Sequence, residues 1–156
     1  MKKIFLLSLA GLLLLFSCRN DEPTVVYPSN NTYQIGQIPD GETGTITDVD
    51  LSGQGNQTVV GNTTLIISGN VIMDALTITG KAVLTEGSTL TINGTTTVVG
   101  GADFVVLGNF STLNLTQTGD TYLDRGDMTV NGKFTVVGGS TLYLQNAGVH
   151  VNELEI

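Results

Sequence analysis

Residues able to do catalytic or metal chemistry are few in this chain. His150 is the only histidine and Cys18 the only cysteine among 156 residues. Zinc sites need several such ligands, and general acid–base catalysis needs titratable groups held close together. We therefore expect a protein that is not an enzyme, with no catalytic residue and no cofactor.

Three carboxylates offer a weak candidate metal site. Asp120, Asp124 and Asp127 are close in sequence, and carboxylate oxygens are ligands that Ca²⁺ prefers. Their spacing matches no calcium-loop signature, so a solvated turn is the simpler interpretation. Residues 125–127 also spell Arg-Gly-Asp, the integrin-binding tripeptide, although Gly126 has its own place in a series of regularly spaced glycines.

The acidity of the chain excludes one class of partner. Four cations and fourteen carboxylates give the sequence from Cys18 onward a net charge of −10. Phosphate backbones are repelled by such a charge, so we expect no nucleic-acid partner.

The N-terminus predicts export and lipidation. Lys2 and Lys3 precede a thirteen-residue apolar run, residues 4–16, which is too short to span a bilayer and is typical of a signal peptide. The following Leu15-Phe16-Ser17-Cys18 resembles the lipobox of bacterial lipoproteins. The resemblance implies cleavage before Cys18 and membrane attachment through acyl chains on that cysteine. Secretion with a buried thiol, or an uncleaved anchor, are the alternatives.

The residues after the lipobox indicate where the protein resides. Arg19 follows the cysteine, and the acidic Asp21-Glu22 resembles surface-export signals of some Gram-negative lipoproteins. We therefore expect an outer-membrane lipoprotein, and the sequence leaves open whether it faces the cell surface or the periplasm. Residues 18–42 hold all three prolines and predict a flexible tether, with a short capping strand at residues 24–27.

The remainder of the chain, residues 43–156, repeats about every nineteen residues. Glycines recur in steps of 19, 20, 19 and 19, at Gly61, Gly80, Gly100, Gly119 and Gly138. Cutting the chain after each of them gives six coils: residues 43–61, 62–80, 81–100, 101–119, 120–138 and 139–156. The fourth residue of each coil is large and apolar: Ile46, Leu65, Leu84, Phe104, Leu123 and Leu142. We expect these six side chains to stack as one interior ladder.

Such a repeat predicts an all-β solenoid. One coil cannot bury its own apolar side, whereas stacked coils build one continuous core. The pattern resembles the right-handed parallel β-helix of bacterial surface proteins and autotransporter-type adhesins, with three short strands per coil and glycines at positive-φ corners. An antiparallel β-sandwich is the alternative fold.

A threonine recurs three residues before each glycine of the series. The five are Thr58, Thr77, Thr97, Thr116 and Thr135, and they would line a binding face if they point outward, which the sequence leaves open. The residues two positions further on alternate between Val and Thr, so the pattern resembles, less regularly, the surface of ice-binding β-solenoids. Threonine is also simply a good strand residue.

These observations leave several functions open. We expect a non-catalytic, lipid-anchored structural or adhesive platform with a glycan or protein partner. A small glycan-active hydrolase or lyase is the alternative, and ice binding is a further one. The last coil predicts an exposed strand edge open to edge-to-edge self-association.

Overall fold

The computed structural model describes residues 35–156 and the backbone of residues 24–26. Within this part of the chain the only helical element is a short 3-10 turn, η1 (Ile35–Gln37), and nearly all other regular structure is β-strand. Cys18 and the predicted signal peptide lie outside the described residues.

Two parallel sheets run along the molecule, and each coil contributes one strand to each sheet. Sheet A contains the short strands, in this order: β1 (Thr24–Val26), β2 (Thr43–Thr47), β4 (Thr64–Ser68), β6 (Lys81–Leu84), β8 (Asp103–Val106), β10 (Asp120–Asp124) and β12 (Leu142–Gln145). Sheet B contains the long strands: β3 (Asp50–Val59), β5 (Asn70–Ile78), β7 (Thr89–Val98), β9 (Asn109–Gln117), β11 (Asp127–Val136) and β13 (Gly148–Glu155). All pairings between the described strands are parallel. The fold is therefore a parallel β-solenoid of six coils, as the repeat predicted, and not a sandwich.

Each coil has two strands and not the predicted three, because the second strand bends without ending. In β7 the alternation of buried and exposed residues is interrupted after Ile92, where the register with β9 also shifts. The bend falls at Asn93-Gly94. A local irregularity of this kind turns a strand while most of its ladder hydrogen bonds are kept.

The six large apolar residues all face inward, but the prediction of a single ladder is wrong. Sheet A pairs Ile46 with Ile67, and Ile67 with Leu84, whereas Leu65 pairs with Gly44 and Ala82. Two interior columns result. One contains Gly44, Leu65, Ala82, Phe104, Thr121 and Leu142, and the other contains Ile46, Ile67, Leu84, Val106, Leu123 and Leu144. The predicted residues alternate between these columns, because the steps along the first are 21, 17, 22, 17 and 21 residues and not a constant nineteen.

Alternating corners explain the alternating steps. Four residues join β3 to β4 and again β7 to β8, whereas only two join β5 to β6 and β9 to β10. The wide corners use glycines with positive φ, namely Gly61 (φ 44°) and Gly101 (φ 83°). At the tight corner Gly80 has no positive φ, and a Cβ there would lie only 2.5 Å from the Gly61 carbonyl oxygen. Glycine is needed there for close approach, so the prediction of positive φ throughout the series is wrong.

The first coil is capped by residues assigned from sequence to the tether. β1 pairs in parallel with β2, which confirms the expected capping strand. Ile35 and Ile38 are buried in the same core as the coils, and the Ile35 amide donates to the Gln57 side chain at 3.5 Å. The packed unit therefore begins before residue 43.

The core lies between the inner faces of the two sheets. Phe104 on β8 meets Phe110 on β9 edge to face across this interior, with ring centroids 5.0 Å apart. Edge-to-face packing suits the positive ring edge and negative ring face of aromatic side chains. The interior also contains polar residues, including Thr96 and Thr112, whose hydroxyl oxygens lie 3.1 Å apart.

Candidate functional site

The five predicted threonines form one column on the outside of sheet B. Thr58 pairs with Thr77, Thr77 with Thr97, Thr97 with Thr116 and Thr116 with Thr135. Each is half-buried, and its immediate neighbours along the strand mostly face the core. The column belongs to the segment after the bend, where neighbouring coils keep steps of 19 or 20 residues, so sequence spacing located it correctly.

We call the surface around this column the threonine face. It consists of three outward positions on five successive coils: Asn56, Thr58, Val60; Ala75, Thr77, Thr79; Thr95, Thr97, Val99; Asn114, Thr116, Thr118; and Lys133, Thr135, Val137. The first four coils contribute no charged side chain to it, although the protein is strongly acidic. An uncharged strip of β-branched side chains in register can meet a regular, uncharged ligand without burying an unpaired charge.

The hydroxyls of the threonine face differ in what they offer to a ligand. Thr79 and Thr118 donate to the Val59 and Val98 carbonyl oxygens, at 2.9 and 3.1 Å, which leaves their methyl groups as the outward contact. Thr97 and Thr116 form no side-chain hydrogen bond with another described residue, so their hydroxyls are free to bond a ligand or water.

The three aspartates considered as a weak candidate metal site do not converge. Asp120 and Asp124 stand at opposite ends of β10, which separates them by roughly 13 Å at strand spacing, and Asp127 begins β11 in the other sheet. Asp120 accepts from the Thr141 amide at 2.9 Å and Asp127 from the Gly148 amide at 3.1 Å, so both carboxylates fasten the sixth coil. Among the described residues, no group of three or more His, Cys, Asp or Glu is arranged to hold a metal ion.

The Arg-Gly-Asp tripeptide is part of a corner. Arg125 has positive φ (60°), and its guanidinium lies 3.5 Å from Asp124 and 3.9 Å from Glu86. The Asp127 carboxylate accepts a hydrogen bond from the Gly148 amide.

His150 is exposed on β13, and in register it lies beside Thr129.

A second cluster, on the outside of sheet A, was not predicted from sequence. Tyr122 and Tyr143 pair in register, and their rings stack in parallel with centroids 4.6 Å apart. Asp103 and Asp120 also pair with each other, in the column beside Tyr122. The tyrosines are 21 residues apart and the aspartates 17, so a search at a period of nineteen cannot align either pair.

Carboxylates dominate this second cluster, and among the described residues the one cation beside them in register is Lys81, which pairs with Asp103 from β6. Burial is the main cause that raises the pKa of Tyr122, and the nearby charges of Asp120 and Asp103 raise that pKa further. Like charges directly opposite each other on neighbouring strands are destabilising, and within 4 Å no described cation forms an ion pair with Asp103 or Asp120. An open depression of about 220 Å³ adjoins the tyrosines and is lined by Asp124 and Gln145 among others.

In the part of the chain that the structure describes, no helix is long and apolar enough to cross a membrane. Comparison with protein-family models, with curated proteins and with solved structures finds no match. The two clusters are therefore interpreted from their geometry alone.

Proposed function

We propose that this protein is a non-catalytic, lipid-anchored platform of the bacterial cell envelope, displayed at the outer membrane. The threonine face carries the proposal, because on its first four coils uncharged side chains repeat in register on an otherwise acidic solenoid. Such a surface suits adhesion to an extended, regular partner such as a glycan, since the central threonine recurs on each of the five coils.

The anchor is tested first. Cys18 follows a thirteen-residue apolar run and a residue, Ser17, of the size that the lipobox requires. Two or more acyl chains give durable attachment, whereas one chain alone is marginal. Cys18→Ala should move the protein from the membrane fraction to the soluble fraction and remove the acyl mass. A variant that still sediments with membranes and keeps its mass would contradict lipidation.

The platform is tested with the soluble Cys18→Ala chain. Insoluble cellulose, chitin, whole peptidoglycan and immobilised collagen serve as probes in a pull-down assay. We expect at least one of them to retain the chain, and Thr97→Lys to abolish the retention by placing a charge in the middle of the threonine face. Thr129→Lys, an outward change before the bend of β11, is the matched control and should leave retention intact. Retention of none, or equal loss in both variants, would refute the platform.

A glycan-active hydrolase or lyase is the second candidate. It is favoured by the Asp103–Asp120 pair on adjacent coils beside Tyr122, because glycoside hydrolysis commonly uses two neighbouring carboxylates. Incubation with polysaccharides would then release reducing ends or unsaturated products. Turnover that survives purification and disappears in Asp103→Asn or Asp120→Asn would replace the platform by this enzyme, and Asp124→Asn tests the carboxylate on the other side of Tyr122.

Ice binding is a third candidate for the same threonine face. It is favoured by the unbroken Thr58–Thr135 column and disfavoured by the exposed Val60 and Val137 in the next column. An assay of ice recrystallisation decides it, with Thr97→Lys as the variant that should lose any inhibition.

A further inference from the structure

The chain enters the solenoid at its first coil. β1 pairs with β2 from Thr24↔Thr43 to Val26↔Thr45, and the other edge of β2 is occupied by β4. β1 is therefore the terminal strand of sheet A, at the opposite end from β12. Whatever holds the N-terminus to a membrane must act through this end.

The connection from Cys18 to that strand is short. Six residue steps separate Cys18 from Thr24, and a fully extended chain covers at most about 3.3–3.6 Å per step, or roughly 20 Å. The seven strands of sheet A, at about 4.8 Å between neighbours, extend roughly 29 Å from β1 to β12. The connection is thus shorter than the solenoid.

This comparison limits how the solenoid can stand on a membrane. With the sixth coil on the surface, β1 would be farther from the bilayer than the connection reaches. Lying flat is within reach, but on any side other than the threonine face it would bring carboxylates close to the surface, and on the threonine face it would cover the surface on which the proposed function depends. The described residues 35–156 contain twelve carboxylates and three cations, and anionic headgroups repel such charges within about 8 Å at physiological salt. Standing on the first coil brings Asp40, Glu42, Asp48 and Asp50 near the surface and keeps the other eight of these twelve carboxylates farther away.

We propose that the first coil faces the membrane and that the coils rise outward, with the sixth farthest from the lipid. The threonine face then stands perpendicular to the bilayer, open to a partner along its whole length. This inference rests on the proposed acylation of Cys18.

Single tryptophans test the orientation cleanly, because the chain contains none. Val60 and Val137 belong to the same outward column, are 41% and 43% exposed, and are four coils apart, which is roughly 19 Å. The acylated protein carrying Val60→Trp or Val137→Trp is placed in phosphatidylcholine–phosphatidylglycerol vesicles that contain a dansyl-labelled headgroup lipid. Energy transfer from tryptophan to dansyl should be at least twofold more efficient for Val60→Trp, with Val99→Trp between the two.

Equal transfer from all three positions would indicate a flat solenoid and overturn the proposal, as would higher transfer from Val137→Trp.

A second experiment distinguishes failure of the proposed orientation from failure of the proposed lipid anchor. A chain beginning at Cys18 is coupled through its thiol to a maleimide headgroup lipid in the same vesicles. If the biosynthetic protein does not bind vesicles, the proposed anchor fails. The coupled chain still reports the geometry: the same gradient supports the length argument, and its absence refutes it.

Discussion

At the scale of single residues, buried polar atoms distinguish side chains that stabilise the core from one that weakens it. Thr121 is fully buried, and its hydroxyl has no hydrogen-bond partner. Thr112 is equally buried, but its hydroxyl bonds Thr96 and the carbonyl oxygens of Gly94 and Asn114. Burying an unpaired polar group costs about 1–3 kcal/mol, whereas a satisfied one contributes about 1 kcal/mol.

Thr121→Val should therefore raise the free energy of unfolding by about 1 kcal/mol, because the unpaired hydroxyl is replaced by a methyl group of similar shape. Thr112→Val, the matched control, should lower it by about 1–2 kcal/mol. Urea denaturation followed by circular dichroism measures both. A Thr121→Val protein less stable than the wild type would show that its hydroxyl does have a partner.

Two glycines of the regularly spaced series differ in whether they can accept a side chain. A Cβ at Gly80 would meet three backbone carbonyl oxygens within 3 Å, whereas a Cβ at Gly138 meets nothing within 4 Å, and neither residue has positive φ. Gly80→Ala should cost several kcal/mol, of the order of a severe overpacking change. Gly138→Ala should be neutral or slightly stabilising, because it restricts the unfolded chain. Thermal denaturation of the two variants compares them, and equal melting temperatures would contradict the tight corner.

At the scale of elements, the solenoid is held by interior columns that continue from coil to coil. Leu84 on β6 is fully buried between Ile67 and Val106 of the neighbouring strands. Leu84→Ala should cost about 2–5 kcal/mol, the usual range for a buried leucine, and Leu84→Asp should unfold the solenoid. Circular dichroism measures both, and a folded Leu84→Asp protein would refute this placement.

The last two strands of sheet B are joined by an ion pair that should depend on pH. Lys133 Nζ lies 2.7 Å from Glu155 Oε2. The hydrogen bond lowers the pKa of Glu155 and raises that of Lys133. The stabilisation is thus present between the ordinary values of about 4.5 and 10.5. It is lost as the pH falls through the lowered pKa of Glu155, or rises through the raised pKa of Lys133.

Lys133→Gln should accordingly lower the melting temperature at pH 7, and its deficit relative to wild type should shrink as the pH falls below about 4.5 and through the lowered pKa of Glu155. Lys81→Gln is the control, because Lys81 forms no ion pair with a carboxylate of the described residues. A deficit that persists unchanged at the lower pH would assign the effect of Lys133 to packing.

At the scale of the whole molecule, the two ends of the solenoid differ. The first coil is covered by β1 and by Ile35 and Ile38, whereas in the described residues no strand pairs with the outer edges of β12 and β13. Leu144 and Leu154 are 54% and 57% exposed at these edges. Uncovered strands carrying apolar side chains favour pairing with another strand.

We expect the soluble Cys18→Ala chain to self-associate through the sixth coil at high concentration. Leu144→Lys with Leu154→Lys should shift its sedimentation toward the monomer. Val60→Lys changes a similarly exposed aliphatic residue on the side of the solenoid and should leave association unaltered. A Cys18→Ala chain without the leucine substitutions that remains monomeric at millimolar concentration would refute the expectation.

The sequence by itself determined the all-β solenoid, its six coils, the inward position of the large apolar residues and the threonine column. All of these depend on a period that persists along the chain, and regular stacking turns a fixed period directly into neighbours in space. The threonines were located correctly because they lie in the segment that keeps steps of 19 or 20 residues.

Only the tertiary structure decided what happens where the period is broken. Wide and tight corners alternate, so the steps across sheet A vary between 17 and 22 residues, and the register of a strand depends on corner geometry that the period does not reveal. For this reason the single predicted ladder became two columns, and the Tyr122–Tyr143 and Asp103–Asp120 pairs were missed. The weak metal candidates Asp120, Asp124 and Asp127 are separated for a related reason: residues close in sequence along an extended strand and around a corner are carried apart in space.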